Sequence, residues 1–327
     1  MAPRQARPAG PLSPVSRVSP LAAYGLDYWN SSPISSLHIS PRREQQIHRQ
    51  RLFPDHFTIG AMREPFVERL RNESDLIGGW CSFSSYASAE VMTHLGLDFL
   101  ILDLQHSEIT QSDFPSVLGA FADSPVTPVV RAAQNDYHNI NWLFDQGVDA
   151  VLVPMVNSVA DARRAVDAAK FPPKGKRSFG PFRAARYGFA AKEYMADADR
   201  RATLVIQVES HTGVEQIDEM LTVPGVDAVF IGPNDLAFSM LEPGQSITGP
   251  SSSAGGGADS YTTFARTPEV LASCERILEA AKVHGMPFGM TSGSIEEVRE
   301  WHAKGAKFMT LGSDFLFMRA GAEQMLR

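Results

Sequence analysis

The chain is poor in cysteine: Cys81 and Cys274 are the only two in 327 residues. Two thiols this far apart make no disulfide framework and point to a reducing compartment. A cytoplasmic location is the first expectation. Excess positive charge is also missing. Lys and Arg number 30 against 37 Asp and Glu, a formal net charge of −7. That leaves no basic footprint for nucleic acid. No apolar run approaches the roughly 20 residues that span a bilayer, so no membrane partner is expected. There is no H-E-x-x-H, no C-x-x-C and no dense histidine group, which disfavours a zinc site.

What is present divides in two. Residues 1–56 hold seven Arg, no Lys, three acids and a series of prolines from Pro3 to Pro41. Such a segment buries too little apolar surface to offset its chain entropy. It reads as a disordered extension, or as an organellar transit peptide, which would make the location mitochondrial. Residues 57–327 read as the folded domain. The 43% hydrophobic content of the whole chain is ample for a large core.

Eight short apolar runs punctuate the folded part: Leu76–Trp80, Phe99–Leu102, Pro128–Val130, Ala150–Val153, Leu204–Ile206, Ala228–Ile231, Pro287–Met290 and Phe308–Leu311. They do not alternate apolar with polar, which suits parallel strands buried on both faces. Helical spacing follows each run, at Tyr86–Leu95, Ser112–Ala122, His138–Gln146, Val159–Lys170, Gly213–Leu221, Pro268–His284, Ser294–Ala303 and Phe315–Met325. Ser112, Asp136 and Ser158 are the expected helix openers. Glycines such as Gly147 and Gly305 are the expected terminators. Eight strand–helix units in about 270 residues predict an α/β fold, a (β/α)8 TIM barrel. The alternative, an open doubly wound sheet, lacks its usual G-x-G-x-x-G loop here. Residues 242–263 are rich in Gly and Ser and read as a flexible insertion, a lid or a tolerated surface loop.

In such folds the chemistry sits just past the carboxyl ends of the strands. Those positions hold Asp103, Gln105 and His106, then Arg131, then Pro154 and Met155 with a long loop carrying Arg177, Gly180 and Arg183, then Gln207 and Glu209, and finally Asp235. Gln207 and Glu209 are two apart on extended chain, so they face one side. Glu209 and Asp235 are two carboxylates at the ends of consecutive strands. With waters they suit a hard, oxygen-seeking ion such as Mg²⁺ or Mn²⁺. The plainer readings are an ion pair of Glu209 with Arg131, and Asp235 as a helix cap. No lysine lies in any predicted strand, which disfavours imine chemistry.

The segments DLQHSEI, VVRAAQND, GVDAVLVPMVNSVADARRAV, QVESHTGVEQIDEML and GVDAVFIGPNDLAFSM resemble the HpcH/HpaI aldolase family of class II, metal-dependent pyruvate aldolases. The resemblance runs from about Ile77 to the C-terminus, apart from the insertion. It implies metal ligation by Glu209 and Asp235, with Co²⁺ a third candidate ion. It implies His106 as base, Asp103 orienting it, and Arg131 stabilising the enolate oxygen. It further implies that Gln207 lies beside the bound 2-oxo acid, that Gly232, Pro233 and Asn234 form the loop whose backbone receives the substrate carboxylate, and that Trp80 is an aromatic residue near the mouth. Four positions depart from the usual family pattern: Gln105 stands where Glu is common before the histidine, Ser107 where Gly or Ala is common after it, and Asn234 and Ala237 replace two small positions of the loop after the sixth strand.

The implied reaction cleaves a 4-hydroxy-2-oxo acid to a pyruvate-type 2-oxo acid and an aldehyde. The alternatives are oxaloacetate decarboxylation, or capture of the enolate as in macrophomate synthase, on the same site. A non-catalytic binding barrel is the remaining reading. The family analogy also implies a homo-oligomer, a hexamer or trimer.

Overall fold

Each of the eight apolar runs forms a parallel strand: β1 (Leu76–Cys81), β2 (Phe99–Asp103), β3 (Thr127–Arg131), β4 (Ala150–Val153), β5 (Thr203–Val208), β6 (Ala228–Ile231), β7 (Phe288–Ser292) and β8 (Phe308–Ser313). The structure is a computed structural model and describes residues 63–241 and 266–326. The expectations for residues 1–56 and for the 242–263 insertion lie outside the described residues. The strands pair in sequence order and β1 closes on β8, with Leu76 opposite Phe308. A closed barrel excludes the open doubly wound sheet.

The period of two along the strands separates inside from outside. Leu76, Phe99, Ile101, Val129, Leu152, Val205, Phe230 and Phe308 form one cluster that fills the barrel. The residues between them, among them Leu100, Leu102, Val130, Val151, Leu204, Ile206 and Val229, belong to a second cluster with the helices. The strands also run past their apolar stretches. Continuing the inward series by one step reaches Asp103 on β2, Arg131 on β3, Gln207 on β5 and Thr310 on β8, and by two steps, past Gly78, Trp80 on β1. The polar site residues therefore occupy barrel-interior positions.

A short helix before the first strand, α1 (Phe66–Asn72), is not signalled in the sequence at seven residues. It closes the N-terminal end of the barrel. The Phe66 ring lies 5.5 Å from Phe99 and 5.9 Å from Phe308. The Val67 N–H donates to Thr203 Oγ1 at 3.0 Å. With this end plugged, access is from the opposite, C-terminal end.

The surrounding helices begin with α2 (Tyr86–Thr93), α3 (Phe114–Gly119), α4 (Tyr137–Asp145) and α5 (Val159–Ala169). Asp136 and Ser158 cap α4 and α5 as expected, accepting from Asn139 N at 3.0 Å and Asp161 N at 3.1 Å. Ser112 does not open α3. Asp113 accepts instead from the N–H and hydroxyl of Thr110, closing a turn that delays the helix to Phe114. The single helix expected at 213–221 is two, α7 (His211–Glu215) and α8 (Ile217–Leu221), with Gln216 between them. The remaining helices are α9 (Pro233–Ser239), α10 (Pro268–Val283), α11 (Ile295–Lys304) and α12 (Asp314–Met325). Gly305 closes α11 at φ 109°, a backbone state that favours glycine.

One expectation about placement is corrected. The segment with Arg177, Gly180 and Arg183 follows α5, not β4, and leads into an unexpected helix, α6 (Ala191–Arg201). It therefore lies at the N-terminal end of the barrel, away from the site. The buried Arg177 donates to Asp145 at 2.6 Å and Tyr194 at 2.8 Å and stacks on Phe171 at 4.5 Å. Arg183 donates to the Gln146 carbonyl at 2.5 Å. No helix among the described residues is long and apolar enough to cross a membrane.

Candidate active site

The interior ends of β2 and β3 are adjacent in register, Asp103 opposite Arg131. Their side chains meet in a two-pronged pair, Arg131 Nε to Asp103 Oδ1 at 2.8 Å and Nη2 to Oδ2 at 2.6 Å. Both residues are buried. Burial alone would push the Asp103 carboxyl up. The hydrogen bonds and charge of Arg131, with the backbone N–H groups of Gln105 and His106, hold it below the usual carboxylate range. Arg131 is fixed on its face as well. Its guanidinium carbon sits 4.6 Å over the Trp80 ring, within cation–π range.

Asp103 does not reach the imidazole of His106 as the resemblance implied. Its Oδ1 accepts the backbone N–H of Gln105 at 2.9 Å and of His106 at 3.3 Å. The carboxylate already serves Arg131, so it orders the rim loop and not the ring. Ser107 Oγ bonds the Asp103 carbonyl and tightens the same turn. His106 itself is exposed on this rim.

Glu209 follows β5 and is 1% exposed. Its Oε1 accepts the Met155 N–H at 2.8 Å and its Oε2 accepts Gln207 Nε2 at 2.5 Å. Burial pushes its carboxyl up to about 7; the Met155 N–H opposes this, the charge of Asp235 adds to it, and Arg131 and Gln207 oppose it. Glu209 is thus not ion-paired to Arg131, although it feels its charge. Asp235 stands exposed in the first turn of α9 without serving as its cap.

Gly232 lies between these groups. A Cβ there would come within 2.4 Å of Glu209 Oε2 and 2.6 Å of Gln207 Nε2. The Gly232 N–H is taken by the Val208 carbonyl at 3.4 Å, and Pro233 has no N–H. Of the three residues expected to receive a carboxylate through the backbone, Gly232 and Pro233 therefore have no N–H to offer. Gly232 acts by leaving space.

These residues fit a hard cation. A carboxylate is buried where its charge is poorly solvated, a second stands close enough to feel it, and Gln207 Oε1 is buried with no hydrogen-bond partner among the described residues. No group of three or more His, Cys, Asp or Glu side chains lies together among the described residues. Two carboxylates would then be the protein donors to such a cation, to be completed by water or substrate oxygens, as magnesium sites commonly are.

Residues 76–249 match the model of the HpcH/HpaI aldolase/citrate lyase family. The chain belongs to this family. It is 32% identical over 258 residues to a 2-dehydro-3,6-dideoxy-6-sulfogluconate aldolase of Pseudomonas putida, covering 79% of this chain and 93% of that one. It is 32% identical over 267 residues to a 2-keto-3-deoxy-L-rhamnonate aldolase of Escherichia coli K12, covering 81% and 92%. A crystal structure of a family protein from Burkholderia cenocepacia superposes with a TM-score of 0.70 at 29% identity, covering 80% and 97%.

Three further residues shape the site of this family member. Met155 adopts a left-handed backbone, φ 55°, strained for a non-glycine residue, and so aims its N–H at Glu209. No sequence signal marks such a residue. Asp314, at the start of α12, accepts the N–H groups of Ser82 and Phe83 at 2.9 Å each and fixes the loop after β1. Thr310 accepts the Trp80 indole N–H at 2.9 Å. The alternation Phe308, Thr310 on β8 marks it as interior, and that was legible.

Proposed function

We propose that this chain is a divalent-metal-dependent carbon–carbon lyase. It cleaves 4-hydroxy-2-oxo acids to a pyruvate-type 2-oxo acid and an aldehyde, or runs the addition in reverse. The observation that carries this reading is the buried Glu209, set beside Gln207 and over the open space of Gly232, with Arg131 fixed in the same barrel interior. The two relatives named above are both aldolases, which supports the lyase class.

Glu209 and Asp235 would hold the ion, Mg²⁺ or Mn²⁺, with Co²⁺ a third candidate. When bound it supplies Lewis acidity at the keto and carboxylate oxygens of the 2-oxo acid. Arg131, pinned by Asp103 and Trp80, presents a fixed positive charge to the keto oxygen as it becomes an oxyanion. His106 on the rim takes the C4 hydroxyl proton, directly or through a water. The C3–C4 bond then breaks, its electron pair stays with C3, and the aldehyde leaves. Protonation at C3 gives the 2-oxo acid. Gln207 Oε1 is the buried polar atom left to orient the substrate.

A homo-oligomer, trimer or hexamer, is part of the same proposal. Phe179, Phe182, Tyr187 and Phe189 are 70%, 71%, 62% and 94% exposed. Four aromatic rings left to water in one short segment support a self-association surface. Light scattering on the purified chain tests this, and a monomer at micromolar concentration counts against it.

The function is tested by a cleavage assay over a panel of 4-hydroxy-2-oxo acids, with pyruvate read by coupled lactate dehydrogenase. Activity that depends on added Mg²⁺ or Mn²⁺ is expected. Cleavage that survives EDTA unchanged, or no cleavage of any panel member, overturns the reading.

A further inference from the structure

Arg131 touches Asp103 along one edge and Trp80 across one face. The carboxylate fixes where the guanidinium sits. The indole fixes how it is tilted, because a planar cation over a ring follows the ring. What holds the indole therefore bears on the chemistry at Arg131.

Trp80 is half-buried at the top of the barrel interior and packs on Phe230, with ring centroids 6.3 Å apart and an interplanar angle of 70°. An edge contact of this kind tolerates rotation in the indole plane. Its one directional tie is Nε1–H to Thr310 Oγ1 at 2.9 Å. An indole nitrogen only donates, so Thr310 must accept. Thr310 is fully buried, and its own hydroxyl donates to Thr291 Oγ1 at 3.2 Å. Thr310 and Thr291 face each other across β7 and β8. The threonine pair thus polarises the buried Thr310 oxygen toward the indole, on two paired strands.

We propose that Thr310 is a positioning residue for the lyase reaction. It holds the Trp80 indole against the guanidinium of Arg131, and so sets the angle at which Arg131 meets the keto oxygen. The inference rests on the function proposed above, because it assigns Arg131 to the developing oxyanion. Thr310 touches no reacting atom.

The experiment compares the full-length chain with Thr310→Val, Thr310→Ser, Trp80→Phe and the Val/Phe double variant. Valine keeps the shape and removes the acceptor; serine restores it. Thr310→Val is expected to lower kcat by about tenfold, with KM for the 2-oxo acid within about twofold, because the lost interaction belongs to the transition state. Thr310→Ser is expected to recover kcat to within about threefold of the parent. The double variant is expected to be no slower than Trp80→Phe alone, since Thr310 acts through the indole. The Trp80 indole ¹⁵N–H signal, assigned by its loss in Trp80→Phe, should shift and exchange faster in Thr310→Val and hold in Thr310→Ser.

Equal loss in the Val and Ser variants overturns the proposal, because it marks a packing role. So does a parental kcat in Thr310→Val, or additive losses in the double variant. If Thr310→Val fails to fold, Thr310→Ser and Trp80→Phe decide: a serine variant as slow as Trp80→Phe overturns the proposal, and a near-parental one supports it. A parent chain that cleaves nothing defeats the underlying function; an active parent with an unchanged Thr310→Val variant defeats only the role of Thr310.

Discussion

Asp103 and Arg131, neighbours in register on β2 and β3, form a buried two-pronged ion pair at 2.8 and 2.6 Å. The pair joins folding to chemistry. It neutralises two charges inside the barrel, and it leaves one guanidinium aimed by its partner. Breaking one half of such a pair strands the other charge.

Asp103→Asn is therefore expected to lower stability by on the order of 3 kcal/mol at neutral pH, measured by urea unfolding. The pH dependence has a definite sign. The Asp103 carboxyl is held below the usual range in the folded chain. Its contribution is fully present above the unfolded value of about 3.9 and is lost as pH falls through the lower folded value. The gap between parent and Asp103→Asn should close on acidification below that range. A gap that is constant down to acid pH assigns the loss to packing and not to charge.

Gly232→Ala tests the space beside Glu209. The backbone there, φ −98° and ψ 87°, suits alanine, and the N–H to Val208 survives. The obstacle is the Cβ, 2.4 Å from Glu209 Oε2. The carboxylate must move, and the ion must follow or leave. Mn²⁺ affinity by calorimetry is expected to fall by at least about tenfold. An unchanged affinity in a folded variant removes Glu209 from the metal site.

The barrel was legible because its strands are buried on both faces and several of its helices are followed by a left-handed glycine, as at Gly147, Gly285 and Gly305. Eight apolar runs stood clear of the noise, and all eight are strands. The placement of candidate site residues was legible where strand-end position and residue type coincide, at Arg131, Gln207 and Glu209. What could not be read depends on three-dimensional partners. Nothing in the sequence says that Asp103 prefers the guanidinium across the ladder to the imidazole three residues on. Nothing says that Met155 turns left-handed, or that Gly232 acts by absence. The helix α1 carries too little period in seven residues to show in the sequence, and nothing in the sequence marks the Arg177 segment as following a helix at the opposite end of the barrel from the strand before it.

Glu209 makes the fold sensitive to pH in the opposite sense to Asp103. Burial raises its carboxyl to about 7 in the folded chain, above the unfolded value of about 4.3. The folded state binds a proton that the unfolded state releases, so this stability is full below the unfolded value and is lost as pH rises through about 7. Without metal, the melting temperature is expected to drop between pH 5 and pH 8, and Glu209→Gln should flatten that drop. Saturating Mn²⁺ must displace the proton, so its stabilisation should be larger at pH 8 than at pH 5. Equal stabilisation at both values places the ion elsewhere.

On the proposed mechanism, His106 separates cleavage from decarboxylation. Retro-aldol cleavage needs a base for the C4 hydroxyl, whereas loss of carbon dioxide from oxaloacetate leaves an enolate with no such proton to remove. Both reactions would use the charge of Arg131. His106 is exposed on a loop held by backbone bonds to Asp103, so its side chain can be removed without disturbing the pair beneath it. His106→Ala is expected to lower aldol cleavage by about 10²- to 10⁴-fold, read as pyruvate release. Oxaloacetate decarboxylation by the same variant should stay within about threefold of the parent, because base catalysis contributes nothing to that step. Equal loss of both activities removes His106 from the role of base and returns it to that of a substrate contact common to both reactions.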